Sequence, residues 1–344
     1  MSEVSPAGGE AGAARAGNEP GAARADRGTA GARAAGAGRP AAVAALPAEP
    51  GVYRFRDQRD RVLYLGRAVN LRRRVASYWG DLGSRQHLAP MVARIARVQA
   101  LVCDSEHEAA WLERNLLEQD LPRWNRTPGG QEVPVYVRLD LRPRSCGLTV
   151  VHEASPSPGA RYFGPYLGGL KVRLAVSAMH RVMPVAYAAD GLRGALRDLA
   201  GVRGVDPGDR AALIEAITAV LGRDPEAVFG LRAELLRRRD DAARDLAFEL
   251  AARLQAEIQA VDWVTSEQRV TGDGSRDADV HGWAFRAEGE AGGVLVSLGV
   301  RGGRLCRWLQ RSCEQEPAGL LAAGTPPEWR RFAQRNAELA ARLG

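Results

Sequence analysis

Two short strand-like segments joined by a tight turn most constrain how this chain of 344 residues can fold. Residues Gly51–Phe55 and Val62–Leu65 have the side-chain pattern of strands, and the polar run Asp57–Asp60 between them is typical of a hairpin turn. Each segment carries one tyrosine, Tyr53 or Tyr64. The sequence therefore predicts a β-hairpin that displays two tyrosines.

The segments that follow the hairpin alternate between helical and strand periodicity. In chain order we predict a helix, a second helix, a third strand and a longer helix over about 70–78, about Gln86–Ile95, Val98–Cys103 and Glu106–Gln119. Asn70 is suited to cap the first helix, and Asp104 or Ser105 the last. With the hairpin, these elements predict an α+β domain over residues 45–130, in which helices flank a small antiparallel sheet.

The rest of the chain divides by composition and periodicity. Residues 1–41, rich in Gly, Ala and Arg, cannot bury enough apolar surface to offset their ordering entropy, so we predict that they are disordered. We predict a mixed middle region over residues 131–224, a helical hairpin over 225–263, and a β segment with an amphipathic helix over 277–344. That last helix either binds a partner or packs on its own domain, and we favour packing.

The middle region has both strand and helix signals. We predict two strands, an aromatic turn and a helix at Val135–Leu139, Leu148–Val151, Tyr162–Tyr166 and Leu170–Met183. The helical hairpin is predicted from the periodicity of Pro225–Ala243 and Phe248–Asp262.

The charge balance favours an anionic partner such as nucleic acid, although a modest excess of arginine is also common in soluble proteins. The chain has 48 Lys and Arg residues against 41 Asp and Glu residues, a formal net charge of +7 at pH 7. Its four cysteines form no C-x-x-C pair, which argues against a zinc ribbon. No apolar run reaches membrane-spanning length and no signal segment is evident, so we expect a cytoplasmic protein without a membrane partner.

Two charged residues fall on the inward faces of predicted helices. Arg74 shares a helix face with Val75 and Tyr78. Glu113 lies among the apolar residues of the helix Glu106–Gln119. Inward charges are costly unless they are paired or bind a metal. A structural Arg74–Glu113 salt bridge and a functional site explain this pattern equally well.

The hairpin motifs, Gly51-Val-Tyr53 and Tyr64-Leu-Gly66, resemble the paired motif of the GIY-YIG nucleases. Further segments, in the order and spacing of that family, resemble the N-terminal half of the excinuclease subunit UvrC. These segments are Leu46–Tyr53, Leu63–Val75, Asp104–Ala109, Leu112–Leu116, Pro122–Asn125, Arg161–Tyr166 and Leu246–Leu254. The likeness covers roughly residues 46–262, with weaker likeness to about residue 308.

The resemblance implies a metal-dependent catalytic site. Glu113 would hold one divalent cation, Mg²⁺ or Mn²⁺, because a single carboxylate with phosphate oxygens and water suits a hard ion. Tyr53 would activate or orient the attacking water, and the field of Arg74 or Arg67 would have to favour its phenolate form. Arg74 would also stabilise charge that develops on the phosphate.

The remaining site residues are implied in the same way. Tyr64 and Tyr78 would orient water, metal or phosphate, and Asn125 would position the metal network or substrate, although an amide there also fits a turn. The implied catalytic set is Tyr53, Tyr64, Arg67, Arg74, Tyr78, Glu113 and Asn125. The implied DNA contacts are Arg72, Arg73 and Arg123.

Three departures from the UvrC pattern modify these expectations. The family usually has lysine where Arg67 stands, and arginine keeps the charge but cannot act as a base. Residues 185–228 contain no cysteine where UvrC proteins commonly carry a four-cysteine cluster, so we expect no iron–sulfur cluster. Only the opening hairpin of the second, RNase H-like nuclease has a counterpart, at about residues 279–305. In this respect the chain resembles the short UvrC homologues that make only a 3′ incision.

The resemblance implies a structure- or damage-directed endonuclease that makes a single-strand 3′ incision in nucleotide excision repair at the bacterial nucleoid. DNA and UvrB are the implied partners, and UvrB would bind the helical hairpin around Phe248, Leu254 and Ile258. The alternative is that Leu250, Leu254 and Ile258 pack entirely inside the chain, and we favour docking. Two alternatives stay open: a catalytically inactive relative that binds UvrB or DNA, and a GIY-YIG nuclease for mobile-element or self-resistance DNA processing. Damage specificity and dependence on partners would separate the last from a repair enzyme.

Overall fold

Three antiparallel sheets of three strands each organise the residues that the structure describes. The structure is a computed structural model that describes residues 41–126, 132–155, 157–271, 277–286 and 292–344. Apart from Ala41, the tail for which we predicted disorder lies outside the described residues. No helix in these ranges is long and apolar enough to cross a membrane.

The strands and helices have the following bounds. The strands are β1 Gly51–Arg56, β2 Val62–Ala68, β3 Arg97–Val102, β4 Pro134–Asp140, β5 Leu148–Val151, β6 Ala160–Leu167, β7 Ala278–Phe285, β8 Gly293–Arg301 and β9 Arg304–Cys313. The helices are α1 Ala42–Ala45, α2 Leu71–Ala76, α3 Ala89–Val92, α4 Glu106–Gln119, α5 Gly169–Val182, α6 Ala195–Val202, α7 Arg210–Leu221, α8 Pro225–Arg244, α9 Phe248–Thr265, α10 Gln315–Ala323 and α11 Pro327–Leu343.

The first sheet has the strand order β2-β1-β3, with antiparallel pairing on both sides of β1. In the hairpin, Tyr53 pairs with Gly66 and Phe55 pairs with Tyr64, which places these four residues on one face. The predicted α+β fold, with a small antiparallel sheet flanked by helices, is confirmed.

Side-chain caps determine where the helices of this unit begin. The side-chain oxygen of Asn70 accepts a hydrogen bond from the backbone N–H of Arg73 (2.9 Å), at the start of α2. Ser105 Oγ accepts one from the N–H of Glu108 (3.0 Å), at the start of α4. Ser105, rather than Asp104, is therefore the cap of α4, and this helix has its predicted bounds.

The helix predicted over about Gln86–Ile95 is wrong as a single helix. A 3₁₀ turn over Gly83–Leu88 precedes the short helix α3, which begins at Ala89. Pro90 lies in the first turn of α3. A continuous helix would place this proline in its interior, where the ring clashes with a carbonyl of the preceding turn and no N–H can donate. The chain therefore starts a new helix just before Pro90.

The aromatic turn predicted at Tyr162–Tyr166 is also wrong, because these residues belong to β6, an edge strand beside β4. The register between the two strands shifts between Val135 and Val137. Near this shift Gly164 has φ +123°, a backbone conformation that favours glycine. A bulge at the edge of a sheet accommodates a Gly-Pro sequence because the missing N–H of proline leaves no ladder bond broken there.

The hairpin formed by α8 and α9 packs in a core with α5 and the second sheet. Leu254 and Ile258 are each only 1% exposed within this core. Docking of UvrB through these two residues is therefore wrong, because side chains buried inside the chain cannot reach a partner. Phe248, at the start of α9, is 65% exposed.

The third sheet and α11 complete the core around α4. Val52 of β1, Trp111 of α4, Val296 of β8 and Phe332 of α11 belong to one continuous apolar cluster. The favoured expectation for the last helix, packing on its own chain, is confirmed: Trp329, Phe332 and Leu339 are buried.

Asn336 fastens α11 to the edge of β3. Its side chain is fully buried. The amide oxygen accepts a hydrogen bond from the N–H of Val102 (2.7 Å), and the amide nitrogen donates to the carbonyls of Val102 (3.2 Å) and Phe332 (3.0 Å). This single amide thus satisfies the backbone N–H of Val102 at the sheet edge, and it shares the Val102 carbonyl with Arg335, which donates to it at 3.2 Å.

Replacing Asn336 with leucine should lower the free energy of unfolding by about 1–3 kcal/mol, because the buried backbone N–H of Val102 loses its partner. Urea denaturation followed by circular dichroism measures this change. Gln334→Leu, at an exposed position of the same helix, is the matched control and should shift stability by no more than about 0.5 kcal/mol. Equal stability of the two variants would contradict the assigned role of Asn336.

Candidate active site

Three tyrosines from different elements meet on one face of the first sheet. Tyr53 lies on β1, Tyr64 on β2, and Tyr78 in a 3₁₀ turn after α2. The hydroxyls of Tyr53 and Tyr78 are 2.8 Å apart and hydrogen-bonded, and the three ring centroids are 6.0–6.2 Å apart. Tyr53 and Tyr78 are buried, whereas Tyr64 is half-buried. We call these residues the tyrosine cluster.

The two glycines of the hairpin motifs are required by close approaches. A side-chain carbon at Gly66 would lie 2.7 Å from both the Tyr53 hydroxyl and the Tyr64 ring. A carbon at Gly51 would lie 2.2 Å from the carbonyl oxygen of Leu101 on β3. The spacing of glycine and tyrosine in the sequence thus reflects a ring that crosses directly over the neighbouring strand.

Two arginines flank the tyrosine cluster. The guanidinium carbon of Arg74 is 5.7 Å from the centre of the Tyr78 ring, and that of Arg85 is 4.9 Å away. Burial opposes the charge of Arg74, but its interactions with the three tyrosines outweigh burial and raise the pKa of this arginine. The sequence identified Arg74 but not Arg85, which lies in a 3₁₀ segment just before the start of the helix predicted over about Gln86–Ile95.

Burial raises the pKa of Tyr53 well above its ordinary value of 10.0, and the neighbouring tyrosines raise it further. The charge of Arg74 acts in the opposite direction but does not prevail. The pKa of Tyr64 is also raised, mainly by burial. Without bound substrate, Tyr53 is therefore protonated at neutral pH. A general base would have to be the phenolate form, and the charge of Arg74 does not produce it.

The candidate metal-binding carboxylate, Glu113, lies on α4 and is paired with an arginine. Arg67 Nε on β2 is 3.3 Å from Glu113 Oε2. The Arg74–Glu113 salt bridge considered from the pattern is thus replaced by an Arg67–Glu113 pair, although Arg74 remains close enough to influence the carboxylate. Burial raises the pKa of Glu113, while Arg67 and Arg74 lower it. Electrostatic interaction between Tyr64 and Glu113 connects this pair to the tyrosine cluster.

Glu132 is a second carboxylate at the site that sequence analysis missed. Arg67 Nη2 lies 2.7 Å from Glu132 Oε1, so one guanidinium binds both glutamates. Arg114 donates a hydrogen bond to the backbone carbonyl of Glu132 (2.8 Å). Glu132 precedes β4 in a polar segment without periodicity, and no local signal marks it.

The donor atoms at Glu113 and Glu132 fit a hard divalent cation. Both are carboxylates, and one fifth of the Glu113 side chain and 44% of the Glu132 side chain are exposed. No group of three or more His, Cys, Asp or Glu side chains suited to a metal occurs within the described ranges. A cation at this place would therefore take most of its remaining ligands from water and phosphate oxygens, as Mg²⁺ and Mn²⁺ readily do.

The other residues proposed from the sequence lie around this centre rather than in it. The Asn125 side-chain amide accepts a hydrogen bond from the N–H of Leu65 (3.0 Å) and donates one to the Leu65 carbonyl (2.8 Å). These two bonds hold the chain around Asn125 against the edge of β2. Arg72 donates to the carbonyl of Leu46 (2.7 Å). Arg73 and Arg123 are exposed.

Comparison with known proteins agrees with this geometry. Residues 49–126 match the family model of the UvrC-like GIY-YIG domain. The class defined by this fold and site is the GIY-YIG nucleases, which are phosphodiester hydrolases. Within that class, the domain belongs to the UvrC-like family.

Similarity to whole UvrC proteins extends beyond this domain. The chain is 31% identical over 276 residues to the UvrABC system protein C of Trichlorobacter lovleyi, over 77% of this chain and 44% of the relative. It is 33% identical to the proteins of the same name from Desulforudis audaxviator (82% of this chain, 47% of the relative) and Pseudomonas putida (82% and 48%). The chain thus spans less than half the length of these relatives.

The buried state of Tyr53 predicts a specific dependence of stability on alkaline pH. Below about pH 10 the Tyr53 proton is bound in both the folded and unfolded chain, so its contribution is constant. Above that pH the unfolded chain releases the proton while the folded chain retains it, because burial raises the pKa of Tyr53. The free energy of unfolding should then fall by about 1.4 kcal/mol per pH unit on account of this one group.

Denaturation at a series of alkaline pH values, compared between wild type and Tyr53→Phe, measures this contribution. In the variant, the free energy of unfolding should fall less steeply with pH, by the amount that one titrating proton contributes. The tyrosinate absorbance of the folded wild type should rise at a higher pH than that of the unfolded chain. Equal slopes for the two proteins would contradict the buried, protonated state of Tyr53.

Proposed function

We propose that this protein is an endonuclease of nucleotide excision repair that cleaves one DNA strand by divalent-metal-assisted hydrolysis of a phosphodiester bond, 3′ to a lesion. The observation that carries the proposal is the convergence of the Tyr53–Tyr78 hydroxyl pair, Arg74 and the Arg67–Glu113 pair within a UvrC-like GIY-YIG domain. The site of incision, the use of Mg²⁺ or Mn²⁺ and an action on the bacterial chromosome are parts of this proposal.

Each group has an assigned task. Glu113, with Glu132 beside it, would hold the cation, which when bound polarises the phosphate and stabilises its developing charge. Tyr53 is protonated, so we assign it the orientation of the attacking water through a hydroxyl whose direction Tyr78 fixes. Arg74 would balance the negative charge of the phosphate in the transition state.

The surrounding residues would bind and orient the DNA. Arg73 and Arg123 are exposed and can contact the phosphate backbone, and Arg72 can do so beyond its bond to the carbonyl of Leu46. Asn125 is proposed as a positioning residue, since both sides of its amide hold the backbone of Leu65, two residues before Arg67.

One observation favours a second candidate, a relative that binds DNA or UvrB without cutting. Arg67 occupies an oxygen of Glu113, and an arginine in that place competes with a cation for the carboxylate. The same incision experiment decides between the two candidates.

Glu113→Gln should reduce incision of an end-labelled, lesion-containing duplex, preloaded with UvrA and UvrB in Mg²⁺, by about 100-fold or more. A neutral amide holds a hard cation poorly, and loss of one group that stabilises charge at such a site typically costs about 10²–10³ in rate. Glu106→Gln, in the first turn of the same helix and paired with Lys171 away from the site, is the matched control and should cut at the wild-type rate. No incision by the wild type under any divalent cation would favour the binding-only relative.

The tip of the α8–α9 hairpin is the surface that we propose for binding UvrB. Leu246, Phe248 and Leu250 are 72%, 65% and 42% exposed, and they cluster where the two helices join. Adjacent exposed apolar side chains of this kind are typical of protein interaction sites. We propose that UvrB docks on this tip, while the buried residues farther along α9 hold the hairpin in place.

Replacing both Phe248 and Leu250 with aspartate should abolish binding to UvrB in a pull-down with purified proteins, because charge replaces the apolar contact surface. Phe229→Asp is the matched control, since Phe229 is 73% exposed on α8 but does not lie at the tip. Incision of a UvrB-free nicked or flapped substrate should stay at the wild-type rate. Undiminished binding by the double variant would reject the tip as the docking site.

A further inference from the structure

The second sheet leaves one of its faces open. On β4, Val135 and Val137 point into the core that the sheet forms with α5 and α9. Tyr136 and Arg138 alternate with them and therefore lie on the opposite face. On β6, Tyr162 pairs with Arg138 across the sheet and shares this open face. The face thus carries two tyrosines and an arginine in place of apolar core residues.

Tyr136 and Tyr162 line a cavity of about 540 Å³ on this face, together with Ser157, Pro158 and Ala160. Both tyrosines are only half-buried. The volume lies within the range of small-ligand sites, and a base can stack on an accessible aromatic ring whatever its identity. This cavity therefore has the size and the lining to receive one unpaired base.

A second, polar cavity of about 290 Å³ adjoins the first, and Tyr162 and Gly164 form part of the wall of both. Arg223 and Gln268 line it. Within the described part of the chain Arg223 forms no ion pair with a carboxylate, and its charge acts on Tyr166. None of the described residues that line the two cavities is acidic. The guanidinium of Arg223 in the second cavity can therefore pair with an anionic group.

The corner beside the first cavity also has a net positive charge. Arg138 and Arg142 both bind Asp140, with N–O distances of 2.8 and 2.5 Å. Arg142 holds the pKa of this carboxyl well below its usual range, so Asp140 carries one negative charge against two positive ones. The Arg142 side chain reaches the cavity rim, since it packs on Gly159 next to Pro158.

We propose that the groove formed by Tyr136, Tyr162 and Arg223, the β6 groove, binds an unpaired nucleotide of single-stranded DNA. The tyrosines stack on the base, and Arg223 pairs with a flanking phosphate. The choice of DNA as the nucleic acid rests on the proposed function. The strand of this groove also contacts α4, the helix that carries Glu113. Tyr166 on β6 stacks on His107 of α4, with ring centroids 5.5 Å apart.

Fluorescence anisotropy with a labelled oligothymidylate of about 15 nucleotides tests the β6 groove. The protein carries Glu113→Gln and the buffer lacks divalent cations, so that no cleavage occurs. Tyr162→Ala should weaken binding about tenfold, the usual loss for one stacked base, and Tyr162→Phe should restore it because the ring is retained. Arg223→Gln should weaken binding and reduce its salt dependence by about one released counterion.

Tyr187→Ala is the matched control, since Tyr187 is half-buried, is stacked by Arg203 and lies outside the β6 groove. It should bind the oligonucleotide as tightly as the parent protein. A fully paired duplex should bind equally well to the parent and to Tyr162→Ala. The proposal is overturned if Tyr162→Ala binds the single strand normally, if duplex binding falls in parallel, or if phenylalanine fails to restore binding. Because a non-cleaving protein is used, failure of the incision experiment leaves this test intact.

Discussion

The passage of the Tyr53 ring over Gly66 determines how the rest of the site is built. A tyrosine held against the neighbouring strand is fully buried, so its hydroxyl needs a polar partner, and Tyr78 supplies one at 2.8 Å. Burial also raises the pKa of this phenol, and the half-buried charge of Arg74 opposes the rise without reversing it. The glycine and the second tyrosine are therefore consequences of one steric fact rather than separate features.

Those parts of the fold that depend on local chemistry could be predicted from the sequence. The bounds of α4 follow from the Ser105 cap, and the hairpin follows from alternation around a polar turn. Apart from the helix that Pro90 divides, the errors arose where a distant element decides the outcome. The segment Tyr162–Tyr166 has the local pattern of a turn, but it pairs with β4 as a strand. The family resemblance implied that Leu254 and Ile258 bind a partner, but both are buried in the core with α5.

In the candidate site, too, only those features that depend on local sequence could be predicted. Arg74 and Glu113 could be identified because each is a charge on an apolar helix face. Which arginine binds Glu113 could not, since that depends on the position of β2 relative to α4, and the structure pairs Glu113 with Arg67. Glu132 was beyond prediction for a related reason: its place at the site comes from Arg67, which lies far earlier in the chain, and not from any pattern around Glu132 itself.

The apolar cluster shared by α4, the third sheet and α11 joins the matched domain to the C-terminal part of the chain in one folded core. The match to the domain model ends at residue 126, but the core that supports α4 continues through Val296 to Phe332 and Ala341. Loss of α11 from the surface of β3 would expose the underside of the site as well as its own apolar face. Opening of the C-terminal segment and loosening of α4 are therefore expected to be one cooperative event, so that mutations some 200 residues from Glu113 can loosen the helix that carries it through stability alone.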